Sequence, residues 1–381
     1  MSNKKIYRAI GLMSGTSMDG IDLAIIESDG EAIINRQLFD YQPYSDDFKS
    51  KLRKLIIAKS ASFLEIKTLE QELTILHSKL ILETILKNNI KPEDIDIIGF
   101  HGHTIYHNQQ KKITWQIGDP FLLAEKTKIK VVANFRNNDM ALNGKGAPLV
   151  PIYHFFLLKE IKQKLAIINI GGVSNLTYFE SNNINSLTAM DICFGNALFD
   201  DLVLQKLGKN FDDNGEITRA GLSSKNINQE LIVEILNNKI FSITKSASFD
   251  RNDFTFIYEK IKNMSLEESL ATLAIIYSKQ LIAILKSNKI NPQEIILCGG
   301  GRKNLGIKMA INQEISNFNK EQNSNILVKD SDEYQINGDA IEAEAFAFLA
   351  IRSIKKLPIS FKNTSGIDID SCKGGGFYNF N

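Results

Sequence analysis

A strand, a glycine-rich turn and a second strand follow one another twice in this chain, near residue 15 and again near residue 171. In the first copy, Ile6 to Met13 is largely apolar, Ser14 to Gly20 carries turn chemistry, and Ile21 to Ile26 is apolar again. Asp29-Gly30 then gives a hairpin signal before a third strand over Ala32 to Phe39. In the second copy, Leu165 to Ile170 reads as strand, Gly171-Gly172-Val173-Ser174-Asn175 as turn, and Leu176 to Phe179 as strand. At 381 residues the chain exceeds what one hydrophobic core usually serves, so two domains are expected. No low-complexity linker separates them. Two such turns facing each other across a cleft would clamp a polyphosphate.

Other elements fit an α/β chain. Leu69, Leu73, Leu76 and Leu80 recur at helical spacing and predict an amphipathic helix over about Phe63 to Lys87. Asp94 to Phe100 reads as a buried strand running into a loop, His101-Gly102-His103-Thr104. Helices are predicted near Ala197 to Leu207, from a capping box at Ser265 to about Lys286, over Asn304 to Phe318, and over Ala340 to Ile354. Glu294 to Cys298 is a strand leading into the turn Gly299-Gly300-Gly301, and the tail from Leu357 is expected to wrap back over the surface.

Composition removes several function classes. The formal net charge is +1, and Lys and Arg are dispersed, so no nucleic-acid partner is indicated. No apolar run approaches the roughly 20 residues that cross a bilayer, and the N-terminus lacks the apolar core of a signal peptide. Cys193, Cys298 and Cys372 are too scattered for a disulfide framework or a metal set. A reducing cytoplasm is the expected compartment.

A phosphate chain needs backbone N–H groups pointing one way and close approach without Cβ atoms. Gly15-Thr16-Ser17-Met18-Asp19-Gly20 supplies this, although an ordinary hairpin loop uses the same residues. It is no Walker loop, because Gly-Lys-Ser/Thr is missing and a strand follows. Gly171-Gly172 is a second cradle candidate, and Gly299 to Gly301 with Asn304 is a third, set before a helix N-terminus. Phosphoryl transfer also needs a base. Asp191 closes an apolar stretch before Gly195-Asn196 and a helix, where helix capping is the competing role. Asp19 and Asp22 compete for the base or magnesium role. His101, His103 and His107 invite a zinc reading, but substrate hydrogen bonding or plain structure is preferred. Trp115, the single tryptophan, suits a sugar face but is more often core, and Cys193 reads as a buried inert thiol.

The segment from Gly11 to Asp22 (Gly-Leu-Met-Ser-Gly-Thr-Ser-Met-Asp-Gly-Ile-Asp) resembles the signature of the anhydro-N-acetylmuramic acid kinases. The resemblance continues in order through His101-Gly-His-Thr, Gln116-Ile-Gly-Asp119, Phe135-Arg136, Gly146-Ala-Pro-Leu-Val-Pro151, Asn169-Ile-Gly-Gly172, Asp191, Gly299-Gly-Gly301 and Glu342-Ala-Glu-Ala-Phe-Ala347. That family belongs to the hexokinase, actin and heat-shock ATPase superfamily. The resemblance therefore implies a two-domain, duplicated ribonuclease-H-like (actin-like ATPase) fold with a central ATP cleft. The expected domains are 1–130 plus 355–381, and 131–354.

The resemblance also implies the chemistry. The family uses ATP and water to convert 1,6-anhydro-N-acetylmuramic acid to N-acetylmuramic acid 6-phosphate, in murein (peptidoglycan) recycling. Asp191 would be the general base. Gly15, Thr16, Ser17, Met18, Asp19, Gly20, Ile21 and Asp22 would hold phosphate, with Gly171, Gly172, Gly299, Gly300, Gly301 and Asn304 on the rest of the nucleotide. His101, Gln116, Arg136, Asn196 and Glu342 would meet the sugar. ATP with Mg2+, a homodimer and a cytoplasmic location are implied with them. The chain departs from the family pattern at Ile192-Cys193-Phe194, where Thr-Gly-Pro is usual, at Asn134 for Asp, at His103 for Gln, and at Ser246-Ala247-Ser248-Phe249. The first departure motivates an alternative, an impaired ATP-binding sensor module. Another sugar kinase of the same superfamily is a further one.

Overall fold

The computed structural model describes residues 5–15, 18–58, 60–161, 163–224, 227–245 and 249–380. Ala9, Ile10 and Leu12 are fully buried on β1 (Tyr7–Ser14), the mark of a strand covered on both faces. It pairs antiparallel with β2 (Gly20–Ser28), which pairs with β3 (Ile33–Pro43). On its other side it runs parallel to β4 (Ile97–Asn108), which carries a hairpin partner, β5 (Ile113–Ile117), and is parallel to β6 (Val131–Ala133). The tail strand Gly376–Tyr378 closes this sheet against β6, as the wrapping tail requires.

The second sheet repeats that plan. β7 (Lys164–Ile170), β8 (Val173–Glu180) and β9 (Asn183–Phe194) form an antiparallel meander. β10 (Glu294–Cys298) and β11 (Leu327–Asp330) add in parallel beside β7. The orders β3-β2-β1-β4-β6 and β9-β8-β7-β10-β11 are the same path walked twice, so the expected duplicated unit is present.

The chain divides into one unit of Met1–Leu158 with Ala340–Asn381 and another of Lys159–Asp339. The expected boundaries at 130/131 and 354/355 differ from these. Residues 131–133 belong to the first sheet through β4, and the helix Ile341–Ile354 packs on β1, β2 and β4. Two glycines explain that packing. Gly11 and Gly99 are register partners on β1 and β4. A Cβ at Gly11 would lie 1.8 Å from the Ala343 carbonyl oxygen, and one at Gly99 2.1 Å from that of Phe346. The helix backbone therefore rests directly on the two strands.

Three other expectations change. His101 to Thr104 continue β4 instead of forming a loop, because β5 pairs with this stretch and extends it. The reciprocal capping box lies at Ser62 and Glu65, ahead of the helix Phe63–Lys87, while Ser265 only accepts the Glu268 N–H at 3.2 Å. The helix Leu266–Ser287 is long and apolar enough to span a membrane by composition alone. It is instead the central core helix of the second unit, with Leu270, Leu273, Ala274, Tyr277 and Leu281 fully buried.

Replacing Gly11 or Gly99 by Ala is expected to destabilise the first unit by about 1–3 kcal/mol or more, since backbone atoms must move to admit the methyl group. Urea unfolding monitored by circular dichroism measures it, and an unchanged midpoint would contradict the close approach.

Candidate active site

In the first unit the glycine turn is tied down at both ends by Tyr44. Its N–H donates to the Asp19 carbonyl at 2.9 Å, and its hydroxyl meets Ser14 Oγ at 2.7 Å. Ser14 Oγ also meets His103 Nδ1 at 2.8 Å, and all three side chains are buried. Within the turn, Met18 N–H donates to Gly15 O at 3.0 Å, and Met18 is left-handed at φ 59°. Its side chain and that of Ile21 are buried, so these two can offer a ligand only backbone. Gly20 is required by packing, since a Cβ there would sit 2.3 Å from Gln42 O. Asp19 is exposed, and Asp22 lies opposite Met13 in the β1–β2 register. Burial, and then the negative charges of Asp19 and Asp22, push the Tyr41 hydroxyl up. Thr16 and Ser17 lie outside the described residues, as do Ser246, Ala247 and Ser248.

His101 and Arg136 come together. Arg136 Nε donates to His101 Nε2 at 3.0 Å, and His101 Nδ1 donates to Gly102 O at 2.9 Å, which fixes a neutral imidazole. Burial, then the Arg136 charge, hold its pKa well below the usual value. Arg136 Nη1 also donates to Gly146 O at 2.9 Å, while Gly146 N–H donates to the buried Asp139 carboxylate at 2.7 Å. The His101 ring lies 4.6 Å from that of Phe346, one turn beyond the half-buried Glu342 on the same helix. Gln116 is on β5 and donates to Thr104 and Thr114 hydroxyls at 3.2 and 2.8 Å. The three histidines form no zinc site. His103 bonds Ser14, His107 bonds Thr114, and no group of three or more metal-capable side chains occurs among the described residues. Trp115 is not core: it is 44% exposed on β5, opposite Tyr106.

In the second unit three glycine segments meet at the end of β7. Gly195 and Asn196 donate their N–H groups to Gly172 O and Gly171 O at 2.9 and 2.8 Å. A Cβ on Gly195 would lie 1.9 Å from Gly171 O, one on Gly299 2.2 Å from Asn169 Oδ1, and one on Gly301 2.2 Å from the Ile170 side chain. Asn196 Nδ2 donates to Asp200 at 3.2 Å, and its Oδ1 has no hydrogen-bond partner among the described residues. Asn304 spends its carbonyl oxygen capping the helix Leu305–Gln322, accepting from Gly306 and Ile307 N–H.

Asp191 sits in β9 and does not cap a helix; Asn196 occupies that position for the helix Ala197–Leu207. Ser174 pairs with Cys193 and Asn175 with Asp191, so Ile192 is an extra residue, a bulge beside the carboxylate. Phe249 N–H donates to Asp191 Oδ2 at 2.8 Å. Ile192, Cys193 and Phe194 are all buried, and the Phe194 ring packs 5.6 Å from Phe254. The unusual segment thus fills core positions. Burial, then Asp191, push the Cys193 thiol well up, which suits an inert cysteine.

Tyr44, Asp139, Arg302 and Asp339 organise these segments without having been singled out in the sequence. Arg302 Nη1 donates to Gly299 O at 3.1 Å and to Asp339 Oδ1 at 2.6 Å. Each has at least one partner tens of residues away, Ser14 for Tyr44, Ser365 for Asp139, and Arg302 and Asp339 for each other, and no local motif marks those pairings.

The protein-family model described as anhydro-N-acetylmuramic acid kinase matches residues 7–379. An anhydro-N-acetylmuramic acid kinase of Pelagibacter ubique is 38% identical over 97% of this chain and 98% of that protein. One of Zymomonas mobilis is 36% identical over 94% of this chain and 96% of its own length. Among solved structures, the activator of the 2-hydroxyisocaproyl-CoA dehydratase from Clostridium difficile aligns over 92% of this chain and 96% of that one, at 15% identity and a TM-score of 0.45.

Burial holds His77 and His103 at pKa values of about 4, against an ordinary 6.5. The unfolded chain therefore binds more protons between those limits, and the stability these groups allow is complete above pH 6.5 and lost as pH falls toward 4. The melting temperature is expected to drop across that window, and His103→Gln to flatten part of the slope. A melting temperature constant from pH 7 to 4 would count against neutral burial.

Proposed function

The chain belongs to the anhydro-N-acetylmuramic acid kinase family, and from that membership we propose that it is the ATP-dependent kinase that opens 1,6-anhydro-N-acetylmuramic acid with water and phosphorylates it to N-acetylmuramic acid 6-phosphate, in peptidoglycan recycling. The observation that carries this reading is the family match over residues 7–379.

Asp191 is the general base of this reading. With one oxygen held by the Phe249 N–H, its carboxylate has a fixed direction from which to take a proton. The water oxygen bonds to the anomeric carbon, its proton passes to Asp191, and the bond from that carbon to O6 breaks with its electron pair on O6. O6 then bonds to the γ-phosphorus as the bond from that phosphorus to the β,γ-bridging oxygen breaks, and ADP leaves with that bond's electron pair. Ring opening creates the nucleophile where it is needed, which spares a second encounter.

Gly15 to Gly20, with Thr16 and Ser17, receives the phosphates in this reading, Met18 and Ile21 serving through backbone. Gly171, Gly172 and Gly299 to Gly301 take the rest of the nucleotide, and Asn304 supports them by its cap. His101, Gln116, Asn196 and Glu342 orient the sugar, while Arg136 offers a cation to its carboxylate. Asp19 and Asp22, both near enough to perturb Tyr41, are the carboxylates that would hold a magnesium ion in this reading. Bound there, the ion would neutralise phosphate charge. A cytoplasmic location and a homodimer accompany the reading.

Incubation with ATP, magnesium and the anhydro-sugar is expected to give a product heavier by phosphate plus the elements of water in mass spectrometry. Phosphate gain without water would indicate another sugar kinase, and no product from folded, ATP-binding protein would refute the reading. Asp191→Asn is expected to lower kcat by roughly 10²–10⁴-fold with ATP binding retained.

A further inference from the structure

Arg302 is a buried cation in a place where the proposed chemistry needs no charge. Its side chain is 6% exposed, and burying a guanidinium is costly unless its donors are matched. They are matched in one direction. Nη1 reaches Gly299 O and Asp339 Oδ1, and Nε reaches Asp332 Oδ2 at 3.3 Å. Lys303 Nζ takes the other Asp339 oxygen at 2.6 Å. Gly338 makes room for the guanidinium, since a Cβ there would lie 2.8 Å from Cζ. The main chain adds a fastening, Gly299 N–H to Gly338 O at 3.4 Å. Although burial acts against it, the bonds from Arg302 and Lys303 hold the Asp339 carboxyl below its ordinary range.

Three consecutive glycines cannot fix their own shape, because each visits more backbone conformations than any other residue. Gly299 is held at φ +77°, and the packing of Gly299 and Gly301 against Asn169 and Ile170 constrains one side of the turn only. The other side is constrained from residues 338 and 339. We propose that Arg302, acting through Asp339, is a positioning residue for the nucleotide: it presets the Gly299–Gly301 turn in the conformation that receives ATP. The proposal rests on the kinase reading of that turn. Arg302 does not itself grip the nucleotide, since its bonds are directed at Gly299, Asp332 and Asp339. Its contribution is to remove in advance the ordering that the ligand would otherwise have to impose.

The test is calorimetric titration of the wild-type protein, Arg302→Met, Arg302→Lys, Asp339→Asn and the Met/Asn double variant with ADP and magnesium ATP, with KM measured for each substrate. Arg302→Met and Asp339→Asn are each expected to weaken nucleotide binding about tenfold, the worth of one charged hydrogen bond. KM for ATP rises in step, while kcat and KM for the sugar stay near wild type. The double variant is no weaker than the worse single one, because the pair acts as a unit. Arg302→Lys restores part of the affinity. Single variants that melt like the wild type and bind nucleotide equally well overturn the proposal, as does a uniform loss in both KM values and kcat. Should Arg302→Met fail to fold, Asp339→Asn, which keeps the side-chain shape, decides alone. A folded wild-type protein that takes up no nucleotide fails the kinase reading itself, and the proposal with it.

Discussion

The contact of one helix backbone with two glycines organises the first unit. Gly11 and Gly99 lie side by side on the parallel strands β1 and β4, and the carbonyls of Ala343 and Phe346 occupy the space their side chains would have taken. Close packing leaves no slack there, so the helix Ile341–Ile354 has one depth and one direction over the sheet. Much of the candidate machinery in this unit is registered by that contact. Ser14 ends β1 and starts the first glycine turn, His101 and His103 follow Gly99 on β4, and Glu342 lies in the first turn of the helix itself.

A different device sets the second unit. There a Cβ would collide with Gly171 O at Gly195, with Asn169 Oδ1 at Gly299 and with the Ile170 side chain at Gly301, so three loops far apart in sequence share one small volume. Asp191 stands at a bulge in β9 rather than in a turn. The extra residue, Ile192, breaks the pairing of β8 and β9 and turns the carboxylate relative to a regular ladder. Its neighbours Cys193 and Phe194 then continue into the core, where Phe194 packs with Phe254 and Tyr277. Ile192, Cys193 and Phe194 are all buried, and core burial accounts for their apolar character.

Polar groups in both units are buried in connected sets. Ser14, Tyr44 and His103 lie under the first turn, and Arg302 with Asp339 braces the glycine turn of the second. Each set fastens a glycine-containing segment that could not hold its shape by local preference alone.

Periodicity and turn chemistry alone established the elements: the strands near residues 7 and 165, the helix Phe63–Lys87, the helix Ala197–Leu207 and the strand Glu294–Cys298 all stand where the sequence puts them. The repeat of strand, glycine turn and strand also announced the duplication. These features are local, written in residues within one turn or one strand of each other. The domain boundary was not, because Val131–Ala133 and Ile341–Ile354 join the first unit through partners far away in sequence. Nor was the extension of β4 through His103, which depends on β5, or the exposure of Trp115. The apolar helix Leu266–Ser287 is a core element only because β9 and helices from elsewhere in the second unit, among them Ala197–Leu207 and Leu305–Gln322, cover it. Tyr44, Arg302 and Asp339 complete the pattern: a residue type states what bond it can make, but only the tertiary structure decides which distant group it meets, Ser14 for Tyr44 and Asp339 for Arg302.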